Sequence, residues 1–170
     1  FRDRAFDAVL ANFVIAHFTK YKTALFELKR VLRPGGRLGF TAWADAEDDL
    51  ARTWFELVQS VVPREVVQAA MDERLPWRER FRQRLPLEEA LMEAGIRQVR
   101  TEVRRYRFQY SLDEYVEGMG TWATGRFVRS MLGESGFAAF LGRARAVFGE
   151  RFADPVNDFR EVLFATGTKP

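Results

Sequence analysis

At 170 residues, 47% of them apolar and 14% aromatic, the chain can bury one sizeable core and is too short for two ordinary domains. The formal charge of +3 arises from 23 Arg and 4 Lys against 24 acids interleaved with them, a pattern that argues against a nucleic-acid surface. With no Cys and a single His, a disulfide framework, a thiol nucleophile and a multi-His metal site are all excluded. No apolar run approaches the roughly 18 residues of a membrane span and no signal peptide opens the sequence, so a soluble, cytoplasmic protein without a membrane partner is expected. The first residue is Phe rather than Met, which does not read as a native translational start.

Phe6 to Ala16, FDAVLANFVIA, is nearly continuously apolar with no period of two, the pattern of a strand covered on both faces of a parallel sheet. In the following KYKTALFELKRVL, residues Ala24, Leu25, Leu28, Val31 and Leu32 recur at helical spacing, with Lys20, Lys22, Glu27, Lys29 and Arg30 on the other side. Pro34 is expected to stop this helix, and Gly35 and Gly36 to allow positive φ where the chain reverses. Arg37 to Trp43, RLGFTAW, reads as a second buried strand, completing a βαβ unit with parallel pairing.

Two segments after it, LARTWFELVQSVVP and REVVQAAMDERLPW, read as helices rich in apolar and aromatic residues. Pro86 to Ile96 has Pro near a helix start and Gly95 at its end. Val99, Thr101 and Val103 alternate with charged neighbours in RQVRTEVRRYRFQY, which predicts a third and more exposed strand. Ser111 stands three residues before Glu114, a capping box that opens another helix, and helical sequence continues to about Phe152. FREVLFATGTKP closes the chain as a fourth strand. The expected organisation is a single α/β domain: a βαβ core (1–44), a helical insertion (45–85), a helix and strand (86–110), a second helical insertion (111–155) and a last strand (156–170).

FDAVLANFVIAHF followed by ALFELKRVLRPGGRLGFTAW resembles the second half of class I S-adenosylmethionine-dependent methyltransferases, above all the small-molecule group of ubiquinone and menaquinone biosynthesis. Phe6, Asp7, Val9, His17, Leu25, Glu27, Arg30, Val31, Leu32, Pro34, Gly35 and Gly36 fall on the family pattern. The ending also resembles the family's A-x-G-x-K-P finish. The resemblance implies the C-terminal portion, strands four to seven, of a Rossmann-like methyltransferase sheet with helical lid insertions. The family's cofactor loop, G-x-G-x-G, and the acid after its second strand precede this region, so about 90 residues are expected upstream of Phe1 at roughly 30 per βα unit. GMGTWA, Gly118 to Ala123, matches a dinucleotide fingerprint. It falls inside or just after the helix begun at Ser111, and is expected to be a helix break rather than a cofactor loop.

Methyl transfer is an in-line displacement, so the protein must mainly align the nucleophile and exclude water. In open α/β sheets such groups gather at the carboxyl ends of the strands. By resemblance, Asn12 and Phe13 would line the methionine end of S-adenosylmethionine and His17 would face cofactor or substrate as the catalytic candidate. Asn12 could equally be a strand-end turn residue, and His17 a helix N-terminal residue bonded to backbone. Trp43 should reach the pocket mouth. The aromatic and Met residues of the insertions, including Tyr110, Tyr115, Met119 and Trp122, outnumber what two small helices need for packing, and suggest a lid over an apolar or aromatic methyl acceptor. A non-catalytic binding or assembly module derived from the same fold is the other reading. The strand at Phe6 to Asn12 lacks edge protection, so a homodimer through that edge is expected where nothing upstream covers it.

Overall fold

The computed structural model describes residues 1–46 and 48–170. The chain divides into two compact units. The first comprises Phe1–Ala46, Met71–Tyr106 and Arg160–Pro170, and the second residues 48–70 and Arg107–Phe159. Insertion 45–85 therefore does not stay together: its first helix joins the second unit and its end joins the first.

In chain order the elements are β1 (Phe6–Asn12), a 3-10 turn (Ile15–His17), α1 (Tyr21–Val31), β2 (Leu32–Trp43), α2 (Asp49–Gln59), α3 (Arg64–Arg74), α4 (Arg78–Phe81) and α5 (Arg84–Glu93). Then come β3 (Arg97–Tyr110), α6 (Leu112–Thr121), α7 (Ala123–Arg151) and β4 (Val156–Thr168). The sheet order is β1-β2-β4-β3. β1 and β2 run parallel, and β4 lies antiparallel to β2, from Arg37↔Thr168 to Trp43↔Val162. Thr168 bonds Gln98 and Arg105 pairs with Glu161, contacts that step in opposite directions along the chain and set β3 antiparallel to β4. The result is a four-stranded open mixed sheet, the partial Rossmann-like sheet expected.

One face of the first unit's sheet is its core. Ala11, Leu38, Phe40, Leu163 and Ala165 pack against Leu25 of α1 and Leu87 and Leu91 of α5, all nearly fully buried. Burying such aliphatic side chains contributes about 1.5–3 kcal/mol each. The opposite face of β1 is bare: Leu10 lies across Gly39 and is 74% exposed. The uninterrupted apolar run therefore does not mark a strand covered on both faces within these residues.

Arg-Pro-Gly-Gly is not the turn it was expected to be. α1 ends at Val31, and Leu32 already pairs with Phe6 in β2. The next pair is Ala8↔Arg37, so the PGG segment is an outward bulge within the strand. Gly35 does need positive φ, at 77°. Gly36 is required for space instead, because a Cβ there would stand 2.8 Å from the Arg33 carbonyl and 3.1 Å from that of Asp7. Arg33 reaches back to Asp7 at 2.6 Å across the bulge, which gives Asp7 a surface pairing role. Lys169 closes the same end by donating to the carbonyls of Lys29 (2.9 Å) and Leu32 (2.7 Å), satisfying the open C-terminus of α1.

The second unit is helical and has its own core. Trp54, Val58, Val116, Val128, Phe137, Phe140 and Phe148 are buried in it. Ser111 caps α6 in a full capping box with Glu114, and the bonds from Ser111 hold the Glu114 carboxyl below its usual range. α7 is broken at Gly133, whose φ of 69° and ψ of 177° leave the helical region. Among the described residues no helix is long and apolar enough to cross a membrane.

Candidate functional site at the carboxyl ends of β1 and β2

Because β1 and β2 are parallel neighbours, their carboxyl ends open at the same end of the sheet. Asn12 is the exposed last residue of β1, in register with Thr41. Phe13 then takes φ of 54°, the left-handed region, which costs a residue with a side chain about 1–3 kcal/mol. Two bonds hold it there: its N–H donates to the Thr41 carbonyl at 2.9 Å and to Thr41 Oγ1 at 3.1 Å. The turn sets the Phe13 ring on Trp43, stacked at 4.4 Å between centroids and 27° between planes. Such a pair contributes about 0.5–1.5 kcal/mol beyond area burial, offsetting part of the strain. Both rings keep exposed surface, 36% for Phe13 and 50% for Trp43.

The 3-10 turn is pinned by Ile15, which is 1% exposed, and the His17 N–H donates to the Val14 carbonyl at 3.0 Å. That backbone bond leaves the imidazole free to project, and it has no hydrogen-bond or ion-pair partner among the described residues. Phe13, His17 and Trp43 line one cavity of about 240 Å³. This is below the roughly 300–1,000 Å³ of drug-sized sites and suits a small group.

The far wall comes from α4 and its flanks: Leu75, Arg78, Phe81 and Arg82. The wall is held at three places. Trp77 Nε1 donates to the Thr19 carbonyl at 3.3 Å. Tyr21 meets Trp77 and Phe81 edge to face at 4.7 and 5.1 Å. Arg82 pairs with Asp45 at 2.8 Å while its carbonyl accepts the Asp45 N–H at 3.1 Å, tying α4 to the end of β2.

Phe13, His17 and Trp43 therefore line one cavity, and Asn12 lies in the same unit, next in chain to Phe13. Tyr110, Tyr115, Met119 and Trp122 lie in the other. Tyr115 (4% exposed) and Met119 (5%) are interior there, with Tyr115 5.5 Å from Phe148 and 6.4 Å from Tyr110, whereas Trp122 is half exposed. The aromatic surplus of the insertions is thus largely consumed by a second core. GMGTWA spans the end of α6 and the break at Trp122, with no strand ahead of it, as a helix break should. Sequence reasoning missed Thr41, Asp45, Arg78 and Arg82. The one available signal was a lone polar residue in the apolar strand FTAW.

Comparison with known proteins bears on the fold and on the first 40 residues. Residues 1–40 match the family described as methyltransferase domain. A Bacillus halodurans protein assigned as a methyltransferase superposes with a TM-score of 0.52 at 16% identity, over 100% of this chain and 67% of its own. An Anaeromyxobacter dehalogenans protein assigned as a type II methyltransferase gives 0.50 at 18% identity, over 99% and 66%. A phosphoethanolamine N-methyltransferase 2 of Haemonchus contortus, solved with phosphomonomethylethanolamine and S-adenosylhomocysteine, gives 0.48 at 14%, over 100% and 35%. No curated protein matches the chain. The chain spans about a third to two thirds of the length of these structures. Its fold is like that of methyltransferase structures over about two thirds of their length, and the family's sequence pattern lies within its first 40 residues.

Proposed function

We propose that the complete protein transfers a methyl group from S-adenosylmethionine to a small apolar or aromatic acceptor, with the glycine loop and ribose-binding acid supplied upstream of Phe1. The observation that carries this reading is the convergence of Phe13, His17 and Trp43 on one cavity at the strand ends, with Asn12 next in chain to Phe13, in and beside the segment that matches the methyltransferase domain. The residues present fit the cofactor's reactive end. Phe13 and Trp43 offer exposed ring faces, which attract a sulfonium as they would any cation, and the exposed Asn12 amide can both donate and accept hydrogen bonds. When bound, the cofactor supplies an electrophilic methyl group on a leaving thioether. His17 takes the proton from an acceptor O–H or N–H as its lone pair attacks. The apolar walls, Ile15, Ala42 and Phe81, exclude water.

The test is to express the protein with the codons that precede Phe1 and to measure S-adenosylhomocysteine release with a panel of small aromatic acceptors. Turnover supports the reading. A protein that folds, lacks a glycine loop and releases none is the non-catalytic module instead.

The same reading extends to assembly. β1 is the outer strand of the sheet, its outward N–H and C=O groups have no strand partner among the described residues, and Leu10 is exposed beside them. Residues 1–170 alone are expected to pair through this edge into a homodimer. Light scattering should give about twice 19.7 kDa, and a stable 19.7 kDa monomer would contradict it.

A further inference from the structure

The charges around the cavity are arranged asymmetrically. Arg78 and Arg82 line it, and no carboxylate does among the described residues. Their acidic partners bind from outside the lining. Glu79 takes Arg78 at 2.7 Å and Arg82 at 3.6 Å, and Asp45 takes Arg82 at 2.8 Å. A guanidinium carries five N–H donors in a planar fork. Glu79 Oε1 takes Arg78 through Nε and Nη2, which leaves the Nη1 donors. Both side chains are a little over a quarter exposed, so their remaining donors are reachable. The Arg78–Glu79 pair, between adjacent residues of one short helix, contributes little to the fold, whereas Arg82 also ties α4 to the end of β2 through Asp45.

Apart from His17 the rest of the lining is apolar or aromatic, and includes the Phe13–Trp43 stack. A ligand that filled this space with a neutral body alone would leave two guanidiniums beside it without recompense. A ligand that set a cation beside the two arginines would meet like charge. An anionic group gains charge-assisted hydrogen bonds, about twice as strong as neutral ones, in surroundings less polar than water. Arg rather than Lys is the residue suited to receiving a carboxylate in a planar two-point contact.

We propose that the ligand of this cavity, which on the functional reading above is the methyl acceptor, carries a carboxylate that Arg78 and Arg82 receive while its apolar body lies against Ile15, Ala42 and Phe81. Arg78 and Arg82 then determine specificity by selecting anionic over neutral aromatic acceptors.

The experiment uses residues 1–170 without cofactor and two probes of equal shape, 1-naphthoate and 1-naphthamide, titrated against the isotope-labelled chain by NMR. The expected result is about tenfold tighter binding of naphthoate, a difference of about 1.4 kcal/mol, with shifts at Phe13, His17 and Trp43. Arg78→Gln should erase that preference, read as the ratio of naphthoate to naphthamide affinity. This variant keeps the Arg82–Asp45 tie, so its fold is preserved, and Arg82→Gln serves as the second variant. Equal affinity for both probes, no detectable binding of either, or a preference that survives both variants would overturn the proposal. Since no cofactor is present, carboxylate selectivity in a protein that never transfers a methyl group would sink the functional reading alone.

Discussion

His17→Ala in the complete protein is expected to lower turnover about 10²–10⁴-fold, the usual contribution of a positioned proton acceptor, with little change in melting temperature. The stability half follows from placement. The imidazole is exposed at a strand end and has no partner among the described residues, so its loss removes no packing and leaves no buried group unsatisfied. The kinetic half follows from its position on the wall of the cavity that Phe13 and Trp43 also line. A fall in kcat with KM nearly constant, partly rescued by added imidazole, would distinguish proton transfer from a binding contact. A variant that melts early while keeping its specific activity would make His17 structural.

Trp54→Ala should be the most damaging single change to the fold, costing about 3–5 kcal/mol against the 5–15 kcal/mol typical of a whole domain. Trp54 has no exposed surface, its Nε1 donates to Thr124 Oγ1 at 3.0 Å, and its ring meets Phe140 edge to face at 5.4 Å. Truncation leaves a cavity and an unpaired hydroxyl at once. Because all these contacts lie in the second unit, urea unfolding followed by circular dichroism should show early loss of helix. A shift below about 1 kcal/mol would mean that the helical core is not organised around this residue.

Features set by neighbours in sequence were legible before any coordinates. The alternation of Val99, Thr101 and Val103 marks a strand found at Arg97–Tyr110, Ser111 and Glu114 form the capping box, and Gly95 closes α5 with φ of 80°. Features set by distant partners were not. The PGG bulge depends on where β1 pairs, and nothing in RVLRPGG states that Leu32 already faces Phe6. Separation into two units depends on which helices share a core, and aromatic count alone could not tell Trp54 or Tyr115, spent on packing, from Trp43, left at a cavity.

The candidate site divides the same way. Asn12, Phe13, His17 and Trp43 could be named because a family pattern and the ends of two strands located them. The left-handed turn at Phe13 could not, since it requires Thr41, 28 positions away, to supply both acceptors. Arg78 and Arg82 sit in WRERFRQR, a run that reads as a solvated helix face, and only the fold carries it over the strand ends.

The central claim is that these strand ends form the methionine side of a cofactor site completed by upstream residues. Calorimetric titration of S-adenosylhomocysteine tests it most directly, into residues 1–170 and into the protein extended upstream of Phe1. The account predicts no measurable heat of binding for the first and micromolar affinity for the second, weakened by Phe13→Ala. Micromolar binding by residues 1–170 alone, or none by the extended protein, would contradict it.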